Sequence, residues 1–240
     1  MKGLAPGSYA SEILAPAAAL VPVPEAVELQ VAAAAMLQGM TAHYLTHGVR
    51  ETRPGDSVLV HAAAGGTGAL LVQMLRAAGT RVFATCSTPE KAELARAAGA
   101  DEVILYTETD FAERVQQLSD GRGLDAVYDS VGRTTFDGSL LCLRPRGLLV
   151  LFGQSSGPVE PFDLQRLNRG GSLFVTRPSL AHYTATRTEL LERASAVLDG
   201  VADGRLNVRI GARFGLAQAA AAHDALEGRG TTGKLVLIPA

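Results

Sequence analysis

The 240 residues contain no tryptophan, only two cysteines and just 5% aromatic residues. Cys86 and Cys142 cannot build a disulfide framework, and neither stands at a metal-ligand spacing, so both read as buried, reduced thiols. Charge of one sign is missing too: 22 Lys+Arg against 24 Asp+Glu leave a formal net charge of −2. That excludes the basic footprint of a nucleic-acid binder and the cationic cluster of a membrane-surface protein. The apolar N-terminal stretch is cut by Pro6, Pro16, Pro22 and Pro24, which leaves neither a signal peptide nor a membrane span, and the expected compartment is the cytoplasm. The histidines (His43, His47, His61, His182 and His223) are scattered. Only His43 and His47 share a four-residue spacing, with no carboxylate partner, so no metal centre is expected. Ser155-Ser156 has no histidine nearby in sequence and gives no support for a nucleophile.

What is present is 47% hydrophobic against 19% charged residues, the balance of an α/β protein long enough for a substantial core. The run Val58-Leu59-Val60-His61-Ala62-Ala63-Ala64-Gly65-Gly66-Thr67-Gly68 reads as a buried strand entering a glycine-rich turn, followed by the apolar helix 69–75. Backbone N–H groups of such a turn converge on one spot where the helix dipole favours an anion, and tiny side chains let a pyrophosphate approach. Set against G-x-G-x-x-G, the turn has Ala63 in the first glycine's place; the strand before it and the helix after it make it a dinucleotide site.

Around that turn, strands and helices alternate. An alanine-rich helix is expected over 26–45 and a turn at 53–56. Strands are expected at 81–86, 102–106, 125–129, 148–152 and 172–176, and helices at 89–98, 111–118, 136–143 and 187–198. Thr88 caps the helix that Pro89 begins, and Gly99 ends it. A further edge strand is expected at 233–238. The alternation predicts an α/β fold with a doubly wound parallel (Rossmann) sheet.

The end of the second strand selects the cofactor. An NAD enzyme places a carboxylate there for the ribose hydroxyls. Here Cys86 is followed by Ser87 and Thr88, and Lys91 in the next helix can meet a 2′-phosphate as a point charge. Tyr106 offers a hydroxyl or an aromatic face near the adenosine. The cofactor expected is NADPH.

The segments Met36–Leu45, His61–Gly68, Tyr128-Asp129-Ser130-Val131-Gly132, Phe152-Gly153-Gln154-Ser155-Ser156-Gly157 and Thr176-Arg177-Pro178-Ser179-Leu180 resemble the zinc-independent quinone oxidoreductases of the medium-chain dehydrogenase/reductase superfamily. The likeness spans about 7–239. It implies that Thr41 lies beside the nicotinamide, and that Gly65, Gly66, Thr67 and Gly68 lie beneath the pyrophosphate. It puts Ser87, Lys91 and Tyr106 at the 2′-phosphate, Ser130 along the cofactor, and Phe152, Gly153 and Ser155 on the nicotinamide ribose side. No catalytic acid stands out. Family members begin with a GroES-like β domain that this chain largely lacks, so 1–35 and 208–240 are expected to be its remnants, with exposed apolar surface, and 36–207 the dinucleotide-binding domain. The implied activity is hydride transfer from NADPH to a quinone or similar conjugated carbonyl. The alternatives are an enoyl reductase and a non-catalytic NADPH-binding module. A homodimer formed through the 172–176 strand is also implied.

Overall fold

A computed structural model describes residues 7–228 and 230–239, so the expected terminal segments 1–35 and 208–240 fall partly outside the described residues. The chain divides into two compact units: Leu45–Ala64 with Leu71–Ser179, and the residues before Leu45 with Gly65–Leu70 and those from Leu180 onward.

The first unit carries the sheet. Its strands are β1 (Ser57–Val60), β2 (Arg81–Cys86), β3 (Glu102–Leu105), β4 (Leu124–Asp129), β5 (Leu143–Leu151) and β6 (Phe174–Thr176). They lie in the order β3-β2-β1-β4-β5-β6, and every pairing is parallel. This is the strand order of the Rossmann fold, with its switch point between β1 and β4. The central strands read as continuous apolar runs because both faces are covered. All six residues of β4 are buried, as are five of the six of β2. Leu59, Phe83, Leu124, Val127 and Leu149 form one core cluster with Val115 and Phe136. The latter two come from the helices α4 (Phe111–Leu118) and α5 (Phe136–Leu141), and α3 (Pro89–Ala97) and the short α6 (Gln165–Arg169) complete the unit's own helices. Thr88 caps α3 by accepting from the Lys91 N–H, as expected. Asp110 caps α4, accepting from the N–H groups of Ala112 and Glu113.

The expected boundaries move at α5 and β5. The helix expected to reach residue 143 ends at Leu141, and Leu143 already pairs with Leu124. The register then shifts, so that Ala126 faces Leu148. Arg144-Pro145-Arg146-Gly147 looks like a helix–strand loop in sequence. It is instead absorbed as an irregularity in β5, with Arg146 at φ +62°. Phe152 falls just beyond the strand, and β6 starts at Phe174 rather than 172 because Ser172 takes φ +57°.

α1 (Leu29–His47) and α2 (Gly66–Ala77) run through the unit boundary. The second unit also holds α7 (Leu180–Tyr183), α8 (Arg187–Ala202), β7 (Ile210–Gly215), α9 (Ala219–Glu227) and β8 (Lys234–Ile238). Within it, Val27, Ala32 and Leu198 form a small core. A Cβ on Gly39 of α1 would come within 2.5 Å of Val197 on α8, so these helices approach at a glycine. The Thr186 hydroxyl and Glu189 side chain form a capping box at the start of α8. Buried Arg193 donates through Nε to the Tyr183 carbonyl at 2.6 Å, and its Nη1 lies 3.2 Å from His43 Nδ1. The strand expected at 233–238 is β8. Its partner is β7, in a separate parallel pair that the sequence pattern did not announce.

Candidate functional site

The glycine turn follows β1 directly. Ala62 takes φ +51°, outside the usual range for a residue with a Cβ, and so turns the chain sharply at the strand end. The Ala63 N–H donates to the Thr85 carbonyl at 3.2 Å, which ties the turn to β2. α2 begins at Gly66, three residues earlier than the apolar run suggests, so Gly66, Thr67 and Gly68 form its first turn with N–H groups available for an anion. A Cβ on Gly66 would lie 2.1 Å from Gln38 Oε1, an acceptor that is itself buried and without a hydrogen-bond partner. A side chain at residue 66 would displace the Gln38 amide, the far end of a flexible side chain. Thr41, three residues on from Gln38, donates its hydroxyl to the Leu37 carbonyl at 2.7 Å and keeps acceptor capacity for a ligand amide.

Ser87 follows β2 directly, Tyr106 follows β3, and Lys91 lies in the first turn of α3. Ser87 and Lys91 are half-buried, Tyr106 is 53% exposed, and the Thr107 hydroxyl donates to the Ser87 carbonyl at 3.1 Å. No carboxylate ends β2. Burial pushes the Cys86 thiol up, while the nearby positive charges of Lys91 and Arg96 pull it the other way. Without a carboxylate for the ribose diol of NAD, and with Lys91 close by, this strand end fits a 2′-phosphate. Cys142, buried and pushed up to about 12, is an unreactive thiol.

The loops after β4 and β5 are bound together through the backbone. The Phe152 N–H donates to the Asp129 carbonyl at 2.8 Å, Ser155 N–H to Ser130 at 3.1 Å, and Ser156 N–H to Val131 at 2.8 Å. A Cβ on Gly153 would sit 2.5 Å from the Ser130 oxygen and 2.8 Å from its Cα, so glycine is required by close backbone approach. Ser130, Phe152, Gly153 and Ser155 thus form one edge at the carboxyl ends of β4 and β5, beside the switch point where open α/β sheets bind ligands.

Sequence reasoning missed what lies beneath this edge. His61, 1% exposed at the end of β1, has Nδ1 2.9 Å from the Thr85 hydroxyl and Nε2 3.0 Å from the Ser139 hydroxyl. Ser139 donates to Asp129 Oδ2 at 3.1 Å, and Thr135 donates to the same carboxylate at 2.7 Å. Asp129 is fully buried and also accepts the N–H groups of Val131 and Gly132 at 2.7 and 3.0 Å. The one Ser139 proton is committed to Asp129, so Ser139 accepts from His61, which carries its proton on Nε2 and accepts from Thr85 on Nδ1. Burial lowers the His61 pKa, against the opposing pull of Asp129, and keeps the ring neutral. In sequence His61 stood in the run that enters the glycine turn but was given no role of its own; its position one residue before the turn was the signal available.

Among the described residues no group of three or more His, Cys, Asp or Glu is placed to hold a metal ion. No helix among them is long and apolar enough to cross a membrane.

A family model described as zinc-binding dehydrogenase matches residues 66–195. A 2-haloacrylate reductase from a Burkholderia species is 45% identical over 236 residues, covering 97% of this chain and 71% of that protein. A quinone oxidoreductase of Pseudomonas aeruginosa is 46% identical over 92% of this chain and 68% of its own length. The structure of a mycobacterial protein complexed with NADPH superposes with a TM-score of 0.90 at 50% identity, over 94% of this chain and 69% of that one. The family description names zinc, but no ligand set for it exists among the described residues.

Proposed function

The chain belongs to the quinone oxidoreductases of the zinc-binding dehydrogenase family, in the medium-chain dehydrogenase/reductase superfamily, and from that membership we propose that it reduces a quinone or a similar conjugated carbonyl with NADPH. It is an NADPH-dependent oxidoreductase. The observation that carries the cofactor reading is the strand end Cys86-Ser87-Thr88, with no carboxylate and with the positive charges of Lys91 and Arg96 close by. When bound, NADPH supplies a hydride, and a quinone that takes it and one proton becomes the hydroquinone.

The chain's own residues bind and orient. Ser87, Lys91 and Tyr106 hold the 2′-phosphate end, and Gly65, Gly66, Thr67 and Gly68 the pyrophosphate. Ser130 would lie along the cofactor, Phe152, Gly153 and Ser155 would line the nicotinamide ribose side, and Thr41 would lie beside the nicotinamide. Hydride transfer needs little acid–base machinery when donor and acceptor are held face to face, so orientation supplies much of the rate. The solvent can deliver the proton. We assign 36–207 to the cofactor-binding domain, place the protein in the cytoplasm, and take it to be a homodimer paired through the β6 edge. A second reading, reduction of the activated alkene of a 2-haloacrylate, is favoured by the 45% identity to a reductase of that name.

The test is NADPH oxidation followed at 340 nm with 1,4-benzoquinone, 2-chloroacrylate and a 2-enoyl thioester as separate acceptors. Turnover with the quinone supports the first reading. Turnover with chloroacrylate or the thioester alone reassigns the substrate, and tight NADPH binding without turnover of any acceptor leaves only a binding module. In the same assay Lys91→Ala should weaken NADPH roughly tenfold or more, as loss of a charged contact does, and NADH little. Equal weakening of both would remove Lys91 from the phosphate site.

A further inference from the structure

Three loops of the sheet unit converge on one buried polar chain, and none of its side chains is among those assigned to the cofactor. Ser139 lies in α5, wholly buried, and reaches both ways: it donates to Asp129 and accepts from His61. His61 precedes Ala62, whose left-handed backbone makes the turn, and its own N–H donates to the Tyr128 carbonyl at 3.0 Å. Its ring is further fixed by the Thr85 hydroxyl on β2 and by the edge of Phe111, with centroids 4.9 Å apart and planes at 85°. Asp129 holds the N–H groups of Val131 and Gly132 with its side chain and accepts the Phe152 N–H on its carbonyl. The turn after β1, the loop after β4 and the loop after β5 are therefore positioned by one set of hydrogen bonds. The polar chain has a defined proton order, with Thr85 giving to His61, His61 to Ser139, and Ser139 to Asp129.

Resting on the NADPH reading of the site, we propose that His61 and Ser139 are positioning residues that hold the Ala62–Ala64 turn and the Ser130–Gly132 loop in the geometry that receives the pyrophosphate and nicotinamide half of the cofactor. The reason is geometric. A neutral donor–acceptor imidazole can accept from one strand and donate to a helix at once, whereas an apolar residue of similar size would leave the Thr85 hydroxyl without its acceptor and remove the donor to Ser139 in the core. The 2′-phosphate end, built by Ser87, Lys91 and Tyr106, owes nothing to this chain beyond Thr85, which lies inside β2. The two halves of the cofactor should thus respond differently when the chain is cut.

The experiment compares NADPH with adenosine 2′-monophosphate, which presents only the 2′-phosphate end, by calorimetry on the full chain. Ser139→Ala should weaken NADPH roughly tenfold, the effect of one buried hydrogen bond lost at each end, and leave adenosine 2′-monophosphate within about twofold. Thr85→Val, close to isosteric and lacking only the hydroxyl donor to His61, should show the same split and serves if Ser139→Ala does not fold. In the wild type the nitrogen spectrum of His61 should show a neutral ring protonated on Nε2. The inference is overturned if a folded variant binds NADPH as the wild type does, if both ligands weaken in equal proportion, or if the His61 proton sits on Nδ1. A wild-type chain that binds neither ligand overturns the cofactor reading itself, and this inference with it.

Discussion

β4 and β7 are both six-residue strands in parallel pairs, yet they are built on different terms. Every residue of β4 is buried, between β1 on one side and β5 on the other. β7 has one partner, alternates half-buried with exposed residues, and spells Ile-Gly-Ala-Arg-Phe-Gly. Most of the large exposed apolar side chains, Tyr9, Ile13, Leu14, Leu20, Leu29 and Leu226 among them, belong to the unit of β7, with Leu14 99% exposed, while the sheet unit exposes Tyr106, Leu141, Leu164 and Phe174. A strand covered on both faces draws its stability from apolar burial, while a two-stranded pair in isolation has little of it. The sheet unit is therefore where apolar burial is concentrated.

The largest effect should come from Phe83, fully buried in β2 and part of the sheet's core. Phe83→Ala should cost about 3–5 kcal/mol, read from urea unfolding; a loss no larger than that of a surface substitution would erase the contrast. A smaller effect is expected from pH. The folded-state pKa of His61 is lowered by burial, so the unfolded chain binds the proton more readily. The contribution is fully present above the unfolded value of about 6.5 and is lost as pH falls through the folded one, so stability should decline on acidification below about 6.5. His61→Gln should flatten that decline in thermal melts taken from pH 7 to 5; an unchanged slope would show that other groups dominate. The smallest effect belongs to Leu14, where Leu14→Ser should move stability by about 0.5 kcal/mol or less in the same urea titration. A large loss there would mean that Leu14 is covered in solution.

The legible parts of the fold were those in which local pattern and tertiary environment agree. Val58-Leu59-Val60 and Ala126-Val127-Tyr128 are apolar runs because the parallel sheet buries both faces, and Thr88-Pro89 announces a helix start because capping is local chemistry. β7 was not legible, since two glycines and an arginine carry no strand period and it is formed by pairing with β8. The shift in β5 was hidden for a related reason: Pro145 and Gly147 signal a loop, and only the pairing of Leu143 with Leu124 extends the strand through them. At the site, the glycines and the Ser87–Lys91 pair could be named from sequence. His61, Ser139 and Thr135 could not, because their partners stand in different elements of the sheet unit.

By itself the sequence determined the alternation of strands and helices, the glycine turn after β1, and a β2 end without a carboxylate. These are properties of neighbouring residues, where backbone sterics, capping and charge act over a few positions. Tertiary structure alone decided that Gly153 must be small because the Ser130 backbone lies against it, and that a neutral His61 joins Thr85 to Asp129 through Ser139. Each of these depends on atoms brought within about 3 Å from distant parts of the chain, where close packing and the need to satisfy buried polar groups act, and a sequence pattern does not carry that distance.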